Sequence, residues 1–135
     1  MLQKVLYTDL NARQKESYNF QKISAVLADY WFSTIRLSDD WQWADFIAQH
    51  KDGGIFLKVQ LKWRFTVDNK YKGKNIWIWF IHEKQCYLYH HDDIVPVLLE
   101  NFPDSIAKSQ SWSIWESYSM GATKKLLQML EPYKL

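Results

Sequence analysis

The chain has 135 residues, of which 47% are hydrophobic and 24% charged, a composition that excludes an intrinsically disordered chain. The formal net charge at pH 7 is only +2, so charge alone does not indicate a nucleic-acid-binding protein. Cys86 is the only cysteine, which excludes an internal disulfide and a zinc site built on cysteines. Because no segment approaches the roughly 18 apolar residues of a membrane span, we expect one cytoplasmic domain, residues 1–135, with no membrane contact.

The first half of the chain predicts a helix followed by strands. Apolar residues between Asn11 and Phe32 recur near helical spacing, which predicts one long helix that ends near Tyr30. The glycines at positions 53 and 54 can adopt the positive φ that a tight hairpin demands. The further predictions are a strand over residues 33–37, a turn over 38–40, a strand over 44–50, a hairpin turn over 51–54 and its partner strand over 55–64.

The second half predicts two more strands and two helices. The apolar run at residues 75–81 is typical of a strand inside a sheet. Residues 111–115 alternate like an edge strand, with a subunit contact as the other interpretation. The further predictions are a basic loop or short helix over 70–74, a strand over 87–89, a helix from Asp92 or Asp93 as cap through Leu99 with Pro96 in its first turn, and a helix over 122–130 capped by Ser119 or Thr123.

Three side chains are predicted to converge on the central hairpin. Asp45 and Gln60 lie at similar distances from the Gly53-Gly54 turn, so they can face each other across the strand pair. Gln60 and Lys62 are two residues apart on one strand and therefore point to the same face. This grouping places a carboxylate, an amide and an ammonium group together.

The grouping suits phosphodiester hydrolysis. Mg²⁺ prefers oxygen ligands, which the Asp45 carboxylate, the Gln60 side chain and the Leu61 carbonyl can supply. Lys62 can orient or help deprotonate the attacking water and neutralise the charge that develops on phosphorus. Mg²⁺, or Mn²⁺ in its place, is therefore the expected cofactor.

Here the chain resembles the PD-(D/E)XK nuclease superfamily over residues 14–100. The matching residues are Trp43-Ala44-Asp45 and, fifteen positions after Asp45, Gln60-Leu61-Lys62. The resemblance implies a restriction-endonuclease-like α/β (α+β) core with a mixed central sheet flanked by helices, in the order αβββαβ. It also implies that Asp45 and Gln60 bind metal, that Lys62 serves the nucleophile, and that Glu16 on the leading helix adds a carboxylate.

The sequence departs from the family pattern at two positions. Ala44 replaces the proline, which does no chemistry, and Gln60 replaces the acidic ligand, which removes a negative charge and should weaken metal binding. Small intron-encoded homing endonucleases and some restriction enzymes resemble the chain in size and in this substitution. We expect a homing endonuclease of that kind.

Other polar and aromatic residues near these positions allow two interpretations. Arg64, Lys70, Lys72 and Lys74 could contact DNA phosphates or simply form a solvated loop. Trp41, Trp43 and Trp63 could stack on bases or belong to the core. Residues 90–93, His-His-Asp-Asp, are expected to start a helix rather than bind metal, because adjacent side chains point apart.

The expected function is a Mg²⁺-dependent endonuclease that cleaves double-stranded DNA. Since one such site cuts one strand, cleavage of both strands requires at least a homodimer or a higher homo-oligomer. Two alternatives stay open, a catalytically inactive DNA-binding protein of the same fold and a protein-interaction or immunity module. An Asp and a Gln-x-Lys fifteen residues apart also occur by chance, so the grouping alone does not decide between them.

Overall fold

The computed structural model describes residues 1–39 and 42–135 in full, and for residues 40 and 41 the backbone alone. Five α-helices and seven strands make up the regular structure of the described chain, with 3₁₀ turns at Tyr7–Asp9, Asn69–Tyr71 and Glu131–Tyr133. The elements are α1 (Ala12–Ala28), β1 (Phe32–Trp41), β2 (Ala44–His50), β3 (Phe56–Lys62), β4 (Phe65–Asp68), β5 (Ile76–His82), β6 (Gln85–His90), α2 (His91–Asn101), α3 (Pro103–Ala107), α4 (Gln110–Trp115), β7 (Ser117–Met120) and α5 (Lys124–Leu130).

The central sheet has five strands in the order β1-β2-β3-β5-β6. β1, β2 and β3 form an antiparallel meander, whereas β5 runs parallel to β3 and antiparallel to β6. The predicted α+β fold, a mixed central sheet flanked by helices, is confirmed, but where the predicted order αβββαβ has a helix after the third strand, the chain has β4 and the 3₁₀ turn Asn69–Tyr71. β3 is the junction of the sheet, because it joins the meander on one side to the parallel strand on the other.

A second, two-stranded sheet pairs β4 with β7 in antiparallel register, from Phe65 opposite Met120 to Asp68 opposite Ser117. The strand predicted over residues 55–64 ends at Lys62, and the four-residue β4 begins after Trp63 and Arg64, in a segment for which the sequence predicted neither a strand nor a turn. This short ladder connects the middle of the chain to its C-terminal part.

Helix α1 packs on one face of the central sheet. Its Asn11 side chain accepts a hydrogen bond from Gln14 N–H while the Gln14 side chain accepts one from Asn11 N–H, which is a capping box. Ile23 and Leu27 are buried against Phe46 and Val59 of β2 and β3. The predicted long helix is confirmed, and it ends two residues before Tyr30.

The opposite face carries the larger core. Strands β5 and β6 contribute buried residues such as Ile78 and Tyr89, which pack with Phe65 and with Leu98 and Leu126 of α2 and α5. The apolar run predicted to lie inside the sheet is β5, whose Ile76, Ile78 and Trp79 are fully buried. The two faces of the sheet are therefore covered by different helices.

The turn between β1 and β2 lies later than predicted. β1 continues through residues 38–40, and Trp41 pairs with Ala44, so the two-residue turn is Gln42-Trp43. Both turn residues have positive φ, 49° and 68°. This conformation matches the right-handed twist of a hairpin but usually selects Asn and Gly. Gln42 and Trp43 are neither, so the sequence pattern placed the turn over residues 38–40 instead.

Two further predictions were wrong. Residues 111–115 belong to helix α4, which Ser109 caps by accepting a hydrogen bond from Trp112 N–H, and the nearby strand is β7. The N-cap of α2 is His90, with no side-chain cap hydrogen bond, and Pro96 lies inside the helix beyond its first turn. The caps predicted for the last helix included Thr123, which does cap α5.

None of the helices in the described part of the chain combines the length and apolar character that crossing a bilayer requires.

Candidate active site

Asp45 lies where the pairing of β2 with β3 ends. The last residue pair of that ladder is Phe46 with Val59, and beyond it the Leu61 N–H donates a hydrogen bond to Asp45 Oδ2 at 2.8 Å. The carboxylate thus satisfies a backbone donor that the ladder leaves without a carbonyl partner, and its orientation is fixed by β3. The first residue of the predicted site is therefore held against the strand that carries the other two.

Gln60 and Lys62 occupy alternate positions of β3, on the opposite side from Val59, which packs under α1. Asp45 is the second residue of β2, and it lines a cleft together with its neighbours Ala44 and Phe46. The side chains of Asp45, Gln60 and Lys62 are all partly buried. The structure brings Asp45 to β3 as the sequence predicted, at the end of the strand pair rather than at a regular register position.

A cleft of about 370 Å³ opens beside Asp45. Leu61 and Trp63 line it from β3 and the residues after it, and Glu16 lines it from α1. The Glu16 carboxylate lies 3.5 Å from the Arg36 guanidinium, and both side chains are largely exposed. Glu16 therefore shares the cleft with Asp45 but already has a cationic partner, and its predicted role stays a prediction.

Lys62 extends toward a buried aromatic residue that the sequence did not single out. Its Nζ lies 5.4 Å from the ring centroid of Tyr71, and Lys70 Nζ lies 5.1 Å from the same centroid. Lys70 Nζ also lies 5.8 Å from the ring of Trp43, the residue with φ 68° in the β1–β2 turn. Such ring contacts hold an ammonium group in place, so the turn, β3 and the basic segment meet here.

Tyr71 is almost fully buried, and burial raises the pKa of its hydroxyl above the usual value. The Lys70 charge opposes this shift, and the charges of Asp68 and Asp45 add to it. Tyr71 therefore stays neutral and serves as an aromatic platform. Its proximity to both Asp45 and Lys62 links the 3₁₀ turn Asn69–Tyr71 to the predicted site.

The other predicted DNA-contacting residues lie around this region in different surroundings. Arg64 Nε donates to Ser119 Oγ at 3.3 Å, and Lys72 Nζ lies 3.8 Å from Glu116 Oε2. Lys74 is exposed. Of the four basic residues, Lys70 is the one whose ammonium group lies over the same ring as that of Lys62.

The donor atoms available for a metal are oxygens. The Asp45 carboxylate, the Gln60 amide and the Leu61 carbonyl have the chemistry that Mg²⁺ prefers, and Mg²⁺ is commonly held by one or two carboxylates together with substrate phosphate. Among the described side chains, no group of three His, Cys, Asp or Glu residues is arranged to hold a metal ion. The chemistry of these oxygen donors is compatible with Mg²⁺, and its binding here stays a prediction.

The His-His-Asp-Asp segment, residues 90–93, starts α2, as predicted. Two of its side chains also hold the basic segment, residues 68–73, in place through hydrogen bonds. His91 is buried, its Nε2 accepts from Asp68 N–H at 3.0 Å, and its Nδ1 lies 2.9 Å from Asp92 Oδ1. Asp92 Oδ2 in turn accepts from Gly73 N–H. These hydrogen bonds fix both ends of the segment between Asp68 and Gly73, which carries Lys70 and Tyr71.

The tryptophans predicted near the site take different positions. Trp43 is 40% exposed and lies near Lys70, and Trp63 is 56% exposed and lines the cleft. Both are therefore surface residues rather than core. The side chain of Trp41 lies outside the described residues.

Comparison with known proteins gives little sequence information. No protein-family model and no curated protein matches the chain. Among solved structures, the chain is similar to a bacterial homing endonuclease, I-Ssp6803I, with 14% sequence identity and a TM-score of 0.49, over 92% of this chain and 86% of that chain.

Proposed function

We propose that the chain is a Mg²⁺-dependent endonuclease of the PD-(D/E)XK type that hydrolyses phosphodiester bonds of double-stranded DNA. The observation that supports this most is the hydrogen bond from Leu61 N–H to Asp45, which fixes a carboxylate beside the strand that carries Gln60 and Lys62. Asp45 and Leu61 line an open cleft, and Gln60 and Lys62 are the residues on either side of Leu61 along β3. Phosphodiester hydrolysis needs these groups together.

Each residue has a role in this proposal. Bound Mg²⁺ would polarise the phosphate and stabilise charge on its oxygens, held by Asp45, Gln60 and the Leu61 carbonyl. Lys62 orients the attacking water and neutralises charge that develops on phosphorus. The Leu61 N–H keeps the Asp45 carboxylate turned toward β3. Glu16 adds a second carboxylate to the cleft only if it leaves Arg36.

The proposal includes a cytoplasmic location and a homodimer or higher homo-oligomer. A single site cuts one strand, so two copies related by a two-fold axis would be needed to cut both strands of a duplex. Arg64, Lys70, Lys72 and Lys74 would bind the phosphate backbone independently of base sequence.

The decisive test is cleavage of supercoiled plasmid with Mg²⁺ or Mn²⁺. Asp45→Asn keeps an oxygen that can accept from Leu61 N–H but removes the charge, and Lys62→Met keeps the length of the side chain without its ammonium group. We expect each variant to cut at least about 100-fold more slowly, the loss typical of removing one group that stabilises transition-state charge.

Asp104→Asn and Lys108→Ala are matched controls, since both residues are exposed and lie on the surface around α3, away from the residues named above. Circular dichroism would show that all four variants are folded. Full activity of Asp45→Asn or Lys62→Met would contradict the proposed site.

A second candidate function is a DNA-binding protein that no longer cleaves. The neutral Gln60 at the position of the acidic ligand favours it, because a single carboxylate holds Mg²⁺ weakly. If the native chain binds duplex DNA without cutting it, Gln60→Glu should restore a second charged ligand and produce cleavage in Mg²⁺. Cleavage by the native chain would exclude this candidate.

A further inference from the structure

Two lysines share one buried ring at the end of β3. Lys62 comes from the strand itself and Lys70 from the 3₁₀ turn Asn69–Tyr71, and their ammonium groups lie 5.4 and 5.1 Å from the Tyr71 centroid. Like charges repel, so a protein that places two ammonium groups at one ring needs a compensating anion nearby. Asp68 and Asp45 both supply negative charge in this neighbourhood. The two ammonium groups thus reach one ring from different elements of the fold, with both carboxylates nearby.

From this juxtaposition, we propose that Lys62 and Lys70 together bind one phosphodiester group, so that Lys70 is a second active-site cation and not one of several backbone contacts. A phosphodiester carries a single negative charge and two non-bridging oxygens. The ammonium group of lysine binds phosphate as a point charge and can approach each oxygen from a different element of the fold. The proposal rests on the proposed function for its catalytic consequence.

The position of Lys70 is fixed on several sides. Its ammonium group contacts the rings of both Trp43 and Tyr71, and the segment that carries it is tied at Asp68 by His91 and at Gly73 by Asp92. Lys72 differs, because it pairs with Glu116 on the surface. A pre-positioned cation can act on the transition state, whereas a mobile one on the surface contributes mainly to affinity.

The test separates rate from affinity. Single-turnover cleavage of a short duplex at saturating protein reports the rate, and binding of the same duplex in Ca²⁺ reports the affinity. We expect Lys70→Ala to lower the rate about 100-fold, the scale of one lost charge-stabilising group, with a much smaller loss of affinity. Lys70→Arg should recover most of the rate, and Lys108→Ala should change neither quantity. If Lys70→Ala lowers the affinity alone, Lys70 is an ordinary backbone contact and the proposal is wrong.

A second measurement does not depend on cleavage. In ¹H–¹⁵N spectra of the lysine ammonium groups, titration with inorganic phosphate should shift the Lys62 and Lys70 signals together, with the Lys108 signal unchanged. Lys62→Ala should remove the response of Lys70. If the native chain cuts no DNA, the proposed function fails, but this joint response would still establish the phosphate site. Independent responses, or none, would overturn it.

Discussion

Asp92 shows how one residue supports the site without touching the predicted chemistry. Burial acts to raise the pKa of its carboxyl group, but the hydrogen bonds from His91 and from Gly73 N–H outweigh burial, and the pKa lies below its usual value. The ionised carboxylate is therefore favoured in the folded chain. It holds the segment between Asp68 and Gly73 in the conformation that presents Lys70.

A pH prediction follows for Asp92. Because its pKa is lower in the folded than in the unfolded chain, its contribution to stability is present above the unfolded value of about 3.9 and is lost as pH falls through the folded value. Carboxyl groups titrate between neutral pH and about pH 3. Urea unfolding over this range should show a smaller loss of stability for Asp92→Asn than for the native chain. The exposed Asp104→Asn should behave like the native chain. Parallel curves for Asp92→Asn and the native chain would contradict the hydrogen-bonded role.

At this scale the spacing of two strands about a glycine turn predicted that Asp45 lies near the strand of Gln60 and Lys62, which the Leu61–Asp45 hydrogen bond confirms, while their roles stay predictions. The sequence pattern did not indicate Tyr71 or the special position of Lys70. An aromatic residue within a basic run has no periodicity that separates a buried platform from a surface residue. Its ring packs against His91, which is twenty residues away in sequence.

The elements with strong local signals were predicted well. β2 alternates between buried and half-buried residues, and β5 is an apolar run up to its last residue, His82. These two patterns predicted the bounds of both strands to within one residue. The turn at Gln42-Trp43 and the strands β4 and β7 were missed, because their residues have no typical turn chemistry and four-residue strands depend on their partner. These elements form because of pairing between strands and not because of a local sequence preference.

The β2–β3 hairpin allows a prediction with a built-in control. Gly53 has φ 77°, a conformation that side chains rarely adopt, whereas a Cβ at Gly54 would meet only an ordinary contact with the Asp52 side chain at 3.6 Å. Gly53→Ala should therefore destabilise the chain by about 1 kcal/mol, and Gly54→Ala should have little effect. Thermal unfolding of both variants would check this. Equal destabilisation would show that the turn is not limited by φ at residue 53.

On the scale of the whole molecule, the basic residues predicted to contact DNA are all exposed but differ in their partners. Lys72 lies near Glu116, and Arg64 lies near Ser119. With a net charge of only +2, the chain has no general electrostatic attraction for nucleic acid. The proposed binding to DNA would then depend on a few local cations, and each should contribute to the salt dependence of the affinity.

The corresponding prediction concerns the slope of log Kd against log salt concentration for a duplex in Ca²⁺. A lysine that neutralises one phosphate contributes about 0.9 to this slope on duplex DNA. Lys74→Ala should reduce the slope by about that amount, and Lys72→Ala should reduce it less, because Glu116 already offsets part of its charge. Fluorescence anisotropy over a range of salt concentrations measures both. Equal slopes for the native chain and Lys74→Ala would remove Lys74 from the interface.

The turn between β1 and β2 has a consequence for protein engineering. Replacing Trp43 by glycine would relieve the cost of a bulky residue at positive φ, and such a change would be an obvious choice in a search for heat-resistant variants. The same replacement would remove the indole ring beside Lys70. If the chain is the proposed endonuclease, stability and activity would thus be traded against each other at a single position, and a selection for stability alone would discard the ring that contacts Lys70.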